Sequence, residues 1–428
     1  MTEDTTLTSQ TWLVAIDIGK SFHAVLVEAA DGRRQHFRMA NSVEDYDRLV
    51  AFLRALLGTV RIALEPTGDF HRTLAHRLLR EGFPVVSVSS VAGARYREAM
   101  FNSWDKNDPK DATVILHLLK QGIVQHYHDP LLAGDHDLQE LAKTYHQVVL
   151  ARKRLADSLL NHYLPLYFPE MGRYWESTRV EWFVDYLEKF PTPVAVCALP
   201  KEEFVKAAWS VIGRKVNKRA KLEELYELAH QSIALPVSVD SVAIETFRLQ
   251  LGQLRRLAEL RQALEVRAHA LLKDRADFQH LCSLPGVAAV LAMVILAEGG
   301  DLRRFPHHRQ FLKYCGLDLA KCQSGQFRGR ETLSKRGNAR LRMAFWMAAQ
   351  RAVRMNENSF RDKYERYTKQ DPGNPDVRRK ALTAVAAKMA RVAYAVVKRN
   401  QPYRGYHEHA LPSGSIPLMR AVGASATP

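Results

Sequence analysis

Three short apolar runs joined by tight turns, followed by apolar runs that alternate with helical periodicity, constrain the first 122 residues to a mixed sheet with helices on its faces. Residues 12–18 form the first run, ending at Asp17-Ile18 before Gly19-Lys20. Residues 23–28 form the second, and the hairpin pair Asp31-Gly32 leads into the third, 34–39. Helical spacing over 46–57, a strand over 60–64 running into Glu65-Pro66-Thr67-Gly68, a helix over 70–81, a strand over 84–88 and a helix over 109–122 complete the pattern. An antiparallel start that passes into alternating strands and helices is the outline of a ribonuclease-H-like fold.

Beyond that region the chain is helical, so the class is α/β plus all-α. Leucines recur between charged residues over 138–163 and 242–273, a pattern that suits either a coiled-coil arm or a bundle core. Shorter helical pieces over 180–237 are broken at Pro191, Pro193 and Pro200, and 214–221 is a basic run. Leu284-Pro285-Gly286-Val287 before an apolar helix resembles the turn of a helix-hairpin-helix, whose Gly286 and backbone amides would contact a nucleic-acid phosphate. Helices over 341–355 and 377–399 follow, and after Arg404 the composition predicts no fixed structure. The expected domains are 1–130, 131–275 and 276–405, with a tail over 406–428.

The formal net charge of +16 and pI near 9.7 call for a polyanionic partner, nucleic acid by default. The longest apolar run, 287–297, is too short to span a bilayer, and the acidic opening is unlike a secretory signal, so the expected location is the cytoplasm. Cys197, Cys282, Cys315 and Cys322 lack zinc-knuckle spacing and read as buried free thiols. His126-Tyr127-His128-Asp129 and Asp135-His136-Asp137 read as solvated loops.

Four carboxylates carry the chemistry. Asp17 sits on a presumed central strand, where a charge is costly unless it has a task. Glu65 ends another strand, and Asp108 and Asp111, three apart at a helix start, project from one face. Oxygen donors of this kind suit Mg2+. Asp108 also fits a helix N-cap before Pro109, and Glu65 a plain strand end. A second cluster lies over 322–342, where Gln323-Ser324-Gly325 precedes a basic run with Arg328 and Arg330 and then Ser334-Lys335-Arg336-Gly337-Asn338. Glycines admit an anion to backbone amides and arginine forks match phosphate, so the stretch reads as a phosphate-binding loop with Ser324 either a turn serine or a nucleophile. Ser334 is the rival hydroxyl.

Together these pieces resemble the DEDD transposases of the insertion-sequence one-ten group, relatives of Piv-type DNA invertases. The resemblance rests on Asp17 in AIDIGK, Glu65 in LEPTG, KNDPKDA over 106–112, the LPGV helix, and QSG followed by SKRGN. It implies a RuvC-like domain whose Asp17, Glu65, Asp108 and Asp111 bind Mg2+. It further implies Ser324 as nucleophile, donor and target DNA as substrates, a structured guide RNA, and a homo-oligomer. Asn107 and Pro109-Lys110 depart from the commoner signature without removing a ligand. Two rival readings are a metal-dependent nuclease that hydrolyses DNA junctions or RNA/DNA hybrids, and a non-catalytic nucleic-acid scaffold.

Overall fold

The computed structural model describes residues 11–102, 108–176, 180–212, 217–320, 323–324, 327–329 and 331–405. The chain divides into two units, Met1–His136 and Asp137–Pro428.

In the first unit β1 (Thr11–Ile18), β2 (Phe22–Glu28), β3 (Arg34–Ala40), β4 (Thr59–Glu65), β5 (Val85–Ser87) and β6 (Gln125–His126) form one sheet in the order β3-β2-β1-β4-β5-β6. The first three strands are antiparallel, β4 and β5 run parallel to β1, and β6 closes the far edge antiparallel. This is the ribonuclease-H-like arrangement that the pattern predicts.

Side-chain alternation then assigns the faces. Val14, Ile16, Ile62 and Leu64 point to one side, against Leu49 and Leu53 of α1 (Val43–Ala55) and Leu74 and Leu78 of α2 (His71–Arg80). Ala15 and Ala63 point to the other, where Ala112, Ile115 and Leu119 of α4 (Asp108–Lys120) close on them. Between β5 and α4 lies α3 (Ser90–Phe101), which the sequence pattern does not announce. Its sheet-facing side holds Ala92, Tyr96 and Met100, all only partly buried, so no apolar period marks it.

The reading of 126–129 and 135–137 as solvated loops is corrected. Tyr127, Asp129 and Asp135 are buried. Asp129 Oδ1 accepts from the amides of Leu131 and Leu132 at 2.8 and 2.9 Å, and its Oδ2 lies 3.3 Å from His76 Nδ1. A carboxylate that satisfies two turn amides lowers the cost of its own burial, which is why Asp129 can go inside here.

The second unit is helical. Helix α5 (His136–Ser158) passes through a π turn at Leu159–Tyr163 into α6 (Leu164–Tyr167), followed by α7 (Val180–Lys189), α8 (Pro193–Cys197), α9 (Lys201–Ala208), α10 (Lys218–His230) and the long α11 (Val242–Leu272). Helices α5 and α11 meet antiparallel within the chain. Leu138 and Leu272 share a core, Tyr145 Oη donates to Glu265 Oε1 at 3.0 Å, and Tyr163 stacks on Phe247 at 5.5 Å. The end of α5 and the start of α11 belong to one core with α7, α9 and α10, and their other ends to a second.

That second core holds α12 (Ala276–Cys282), α13 (Ala289–Gly299), α14 (His308–Cys315), α15 (Ala339–Ala352), α16 (Ser359–Thr368) and α17 (Pro375–Arg399). Ala386, Ala390 and Ala393 on α17 are fully buried, and these small side chains let neighbouring helices approach. Between α14 and α15 run four two-residue strands: β7 (Leu319–Ala320), β8 (Gln323–Ser324), β9 (Phe327–Arg328) and β10 (Thr332–Leu333). Of the described cysteines, Cys315 is buried as expected, Cys282 is half-buried and Cys197 is exposed, a departure from the expectation; all three are free thiols.

Gly286 is buried in the turn between α12 and α13 with φ +86°, and a Cβ there would lie 2.3 Å from Ala348 O and 2.8 Å from Ala352 N of α15. Packing alone demands glycine. Gly286→Ala is expected to cost about 3 kcal/mol, from the left-handed backbone and the overpacking together. Chemical denaturation reads it, and a loss below about 1 kcal/mol would contradict this packing argument.

Candidate active site

Asp17 and Glu65 are register partners in the parallel pair β1 and β4, so their carboxylates stand side by side on one face. That face is the one of Ala15 and Ala63, since residues two apart share a side. It is also the face covered by α3 and α4. The Glu65 carboxylate reaches α3 at Gly93, where an added Cβ would lie 3.0 Å from Glu65 Oε2. Any larger side chain at 93 would displace the carboxylate.

Asp111, on the first turn of α4, is 2% exposed. Its Oδ1 lies 2.5 Å from Arg97 Nε on α3, but neither atom makes an aligned hydrogen bond, so charge alone holds the pair. Asp108 opens α4, and its side chain lies outside the described residues. Among the described residues no three acidic, histidine or cysteine side chains gather closely enough to hold a metal. The fold thus places Asp17, Glu65 and Asp111 on one side of one sheet without closing a cluster. Arg97 and Gly93 were invisible to sequence reasoning because their helix was.

Removing Arg97 leaves a buried carboxylate uncompensated, so Arg97→Met is expected to lower the stability of the metal-free protein by about 3 kcal/mol. Thermal melts would show it, and a loss under 1 kcal/mol would mean that Asp111 has another partner.

In the second unit β7 pairs with β10 and β8 with β9, in the registers Thr332↔Ala320 and Ser324↔Phe327. The stretch is therefore a two-tier hairpin with Ser324 exposed in its outer tier. Arg330 and the side chain of Arg328 lie outside the described residues. Lys335 and Arg336 are exposed at the hairpin's foot. Ser334 is engaged, its amide donating to Asp318 O at 2.9 Å and its hydroxyl to Asp318 Oδ1. The foot is rigid for reasons of close approach: a Cβ at Gly337 would meet Tyr314 O at 2.4 Å and Gly316 N at 2.6 Å. Asn338 then caps α15 by accepting from Leu341 N at 3.0 Å, while its amide group donates to Glu298 Oε2 at 2.6 Å. So the Ser-Lys-Arg-Gly-Asn sequence is explained as a tight elbow. Burial pushes the nearby Cys315 thiol up, which removes it as a nucleophile.

Residues 14–169 match the IS110-type DEDD model described as a transposase, and residues 278–365 match the model of the Transposase IS116/IS110/IS902 family. The first match spans the first unit and runs on to residue 169 of the second, the other lies wholly in the second, and together they cover more than half of the chain. The chain belongs to the IS110 transposase family. Relatives of this IS110-family chain include the IS117 mini-circle protein of Streptomyces coelicolor, 27% identical over 324 residues, spanning 72% of this chain and 76% of that one. The IS116 44.8 kDa protein of Streptomyces clavuligerus is 24% identical over 381 residues, 82% of this chain and 86% of its own. Among solved structures, T. thermophilus RuvC in complex with Holliday junction substrate matches 27% of the IS110-family chain and 99% of its own at 11% identity, with a TM-score of 0.21. No helix of the described residues is long and apolar enough to cross a membrane.

Proposed function

We propose that this IS110-family transposase cuts and rejoins DNA through a phosphoserine at Ser324, assisted by Mg2+ at Asp17, Glu65, Asp108 and Asp111 and guided by a structured RNA. The observation that carries the reading is the pairing, in one chain, of an acidic face with an exposed serine hairpin rooted in a rigid basic elbow. The four acidic residues also follow, in chain order, the letters of the family's name.

The residues fit a divalent ion in chemistry: all the donors are oxygens, Asp17 and Glu65 are adjacent on the sheet, and the buried Asp111 Oδ1 is held by the charge of Arg97 and not by an aligned hydrogen bond. A bound Mg2+ would supply positive charge for the oxygens of a phosphodiester under attack. The rest is the work of the chain. Ser324 Oγ forms a bond to phosphorus as the bond to one deoxyribose oxygen breaks; the serine gives up its proton and the released oxygen gains one, leaving a hydroxyl end. Attack by the hydroxyl of a new partner strand reverses the step, so bond energy is conserved and no nucleotide triphosphate is consumed. Lys335 and Arg336, with Arg328 and Arg330, neutralise the phosphate. Ser334 is tied to Asp318, which favours Ser324 as the attacking hydroxyl. Because the acidic residues and the serine reside in separate units, a homo-oligomer that combines copies suits the reading.

Incubation with donor and target DNA carrying the element's ends tests it. Joined products that need Mg2+ and the co-purified RNA are expected. Hydrolysed ends without joining would favour a metal-dependent nuclease, and binding without any cleavage a nucleic-acid scaffold.

A further inference from the structure

On α16, the turn that follows it and α17 of the second unit lies a groove of about 700 Å3, lined by Lys363, Arg366, Tyr367, Lys369, Gln370 and Lys388. Four of the six lining side chains are cationic and none is acidic. Tyr367 is 54% exposed and Lys363 Nζ lies 5.8 Å from its ring centroid. An aromatic face open to solvent in the middle of a cationic groove is the arrangement that stacks a base while the flanking charges hold its phosphates. A duplex would offer the phosphates but keep its bases stacked inside.

We propose that this groove seats an unpaired stretch of nucleic acid, with one base stacked on Tyr367 and the adjoining phosphates on Arg366, Lys369 and Lys363. The cations crowd one another: burial lowers the affinity of Lys363 and Lys388 for their protons, and Arg366 and Arg391 lower it further. Asp362 opposes this only at Lys388, and the neighbouring Glu365 is taken up by Arg361 at 2.7 Å. A phosphate chain relieves that repulsion. Lys388 is also fixed in place, donating to Ser359 O at 2.7 Å, so part of the positive surface is set before binding. A second cleft of about 970 Å3 shares Lys363 and Tyr367 and continues past Lys335 to Asp318 at the hairpin's foot. That cleft mixes Arg379 and Lys380 with Glu331 and Asp376, so it offers a strand leaving the groove a path toward the hairpin that carries Ser324 but a weaker hold on its phosphates. This extends the proposed function by naming where an unpaired strand is held, and it rests on that reading only for the strand's purpose.

Fluorescence anisotropy on the full chain decides it, with labelled 15-mers of oligo-dT and oligo-rU and a 15-base-pair DNA duplex as probes. Tyr367→Ala is expected to weaken at least one single strand about tenfold and the duplex less than twofold, whereas Tyr367→Phe, which keeps the ring, binds like the parent. The strand that loses affinity identifies the ligand as DNA or RNA. Arg366→Gln with Lys369→Gln should flatten the salt dependence of single-strand binding by about 0.7 for each phosphate contact removed. Unchanged binding of both single strands in Tyr367→Ala, or an equal loss on the duplex, overturns the proposal. The same measurements in a Ser324→Ala background are expected to give the same affinities, so an error about the nucleophile does not disturb this test.

Discussion

Ser324→Ala is expected to lower the rate of strand joining by roughly 10^5- to 10^6-fold, the scale on which the loss of a covalent nucleophile falls. Ser334 has its hydroxyl committed to Asp318, and the Cys315 thiol is buried and held protonated. Because Ser324 is exposed in a two-residue strand, its hydroxyl supports no packing, so the melting temperature should hold within about 1 °C and DNA affinity within twofold. Single-turnover assays with Mg2+ measure the effect. A loss of less than about tenfold would return Ser324 to the role of a turn residue.

Asp17→Asn should reduce joining by about 10^3-fold, equal to the several kcal/mol that a correctly held metal contributes. Asp17 is the register partner of Glu65, so the substitution weakens the donor pair on the sheet face while keeping side-chain size. The melting temperature of the metal-free variant is measured beside the activity. Lost activity without lost stability separates a working carboxylate from a structural one. Metal titration in the melts sharpens this: Mg2+ should raise the melting temperature of the parent more than that of Asp17→Asn. Equal shifts would remove Asp17 from the metal site.

Much of this was legible in the chain. The strands β1 to β4 and their turns follow from period-two apolar runs and Asp31-Gly32, and the odd positions 13, 15, 17, 63 and 65 already set Asp17 and Glu65 on the side of Ala15 and Ala63. Helix α3 was not legible, because it packs on the sheet through Ala92, Tyr96 and Met100 without a fully apolar stripe, yet it supplies Arg97 and Gly93. Helix α16 escaped for a related reason: Ser359–Thr368 is mostly polar and buries Phe360 and Thr368 alone. The glycine-rich basic stretch read as a phosphate loop, and its sequence does not distinguish a loop from two short ladders, since each ladder holds two residues a side. Asp129 looked solvated because its partners, two amides of the following turn and His76 far upstream, leave no apolar pattern around it. Gly286 matched a phosphate-contacting turn, while the structure shows a backbone contact with α15, some sixty residues away in sequence.

The most direct test of the account is to trap the reaction on DNA that cannot rejoin, digest the protein and map the DNA-linked peptide by mass spectrometry. A phosphodiester link on Ser324, formed only with a divalent metal and absent from Ser324→Ala, is the expected result. A link on Ser334 or any other residue, or cleaved DNA with no linked peptide, would contradict it.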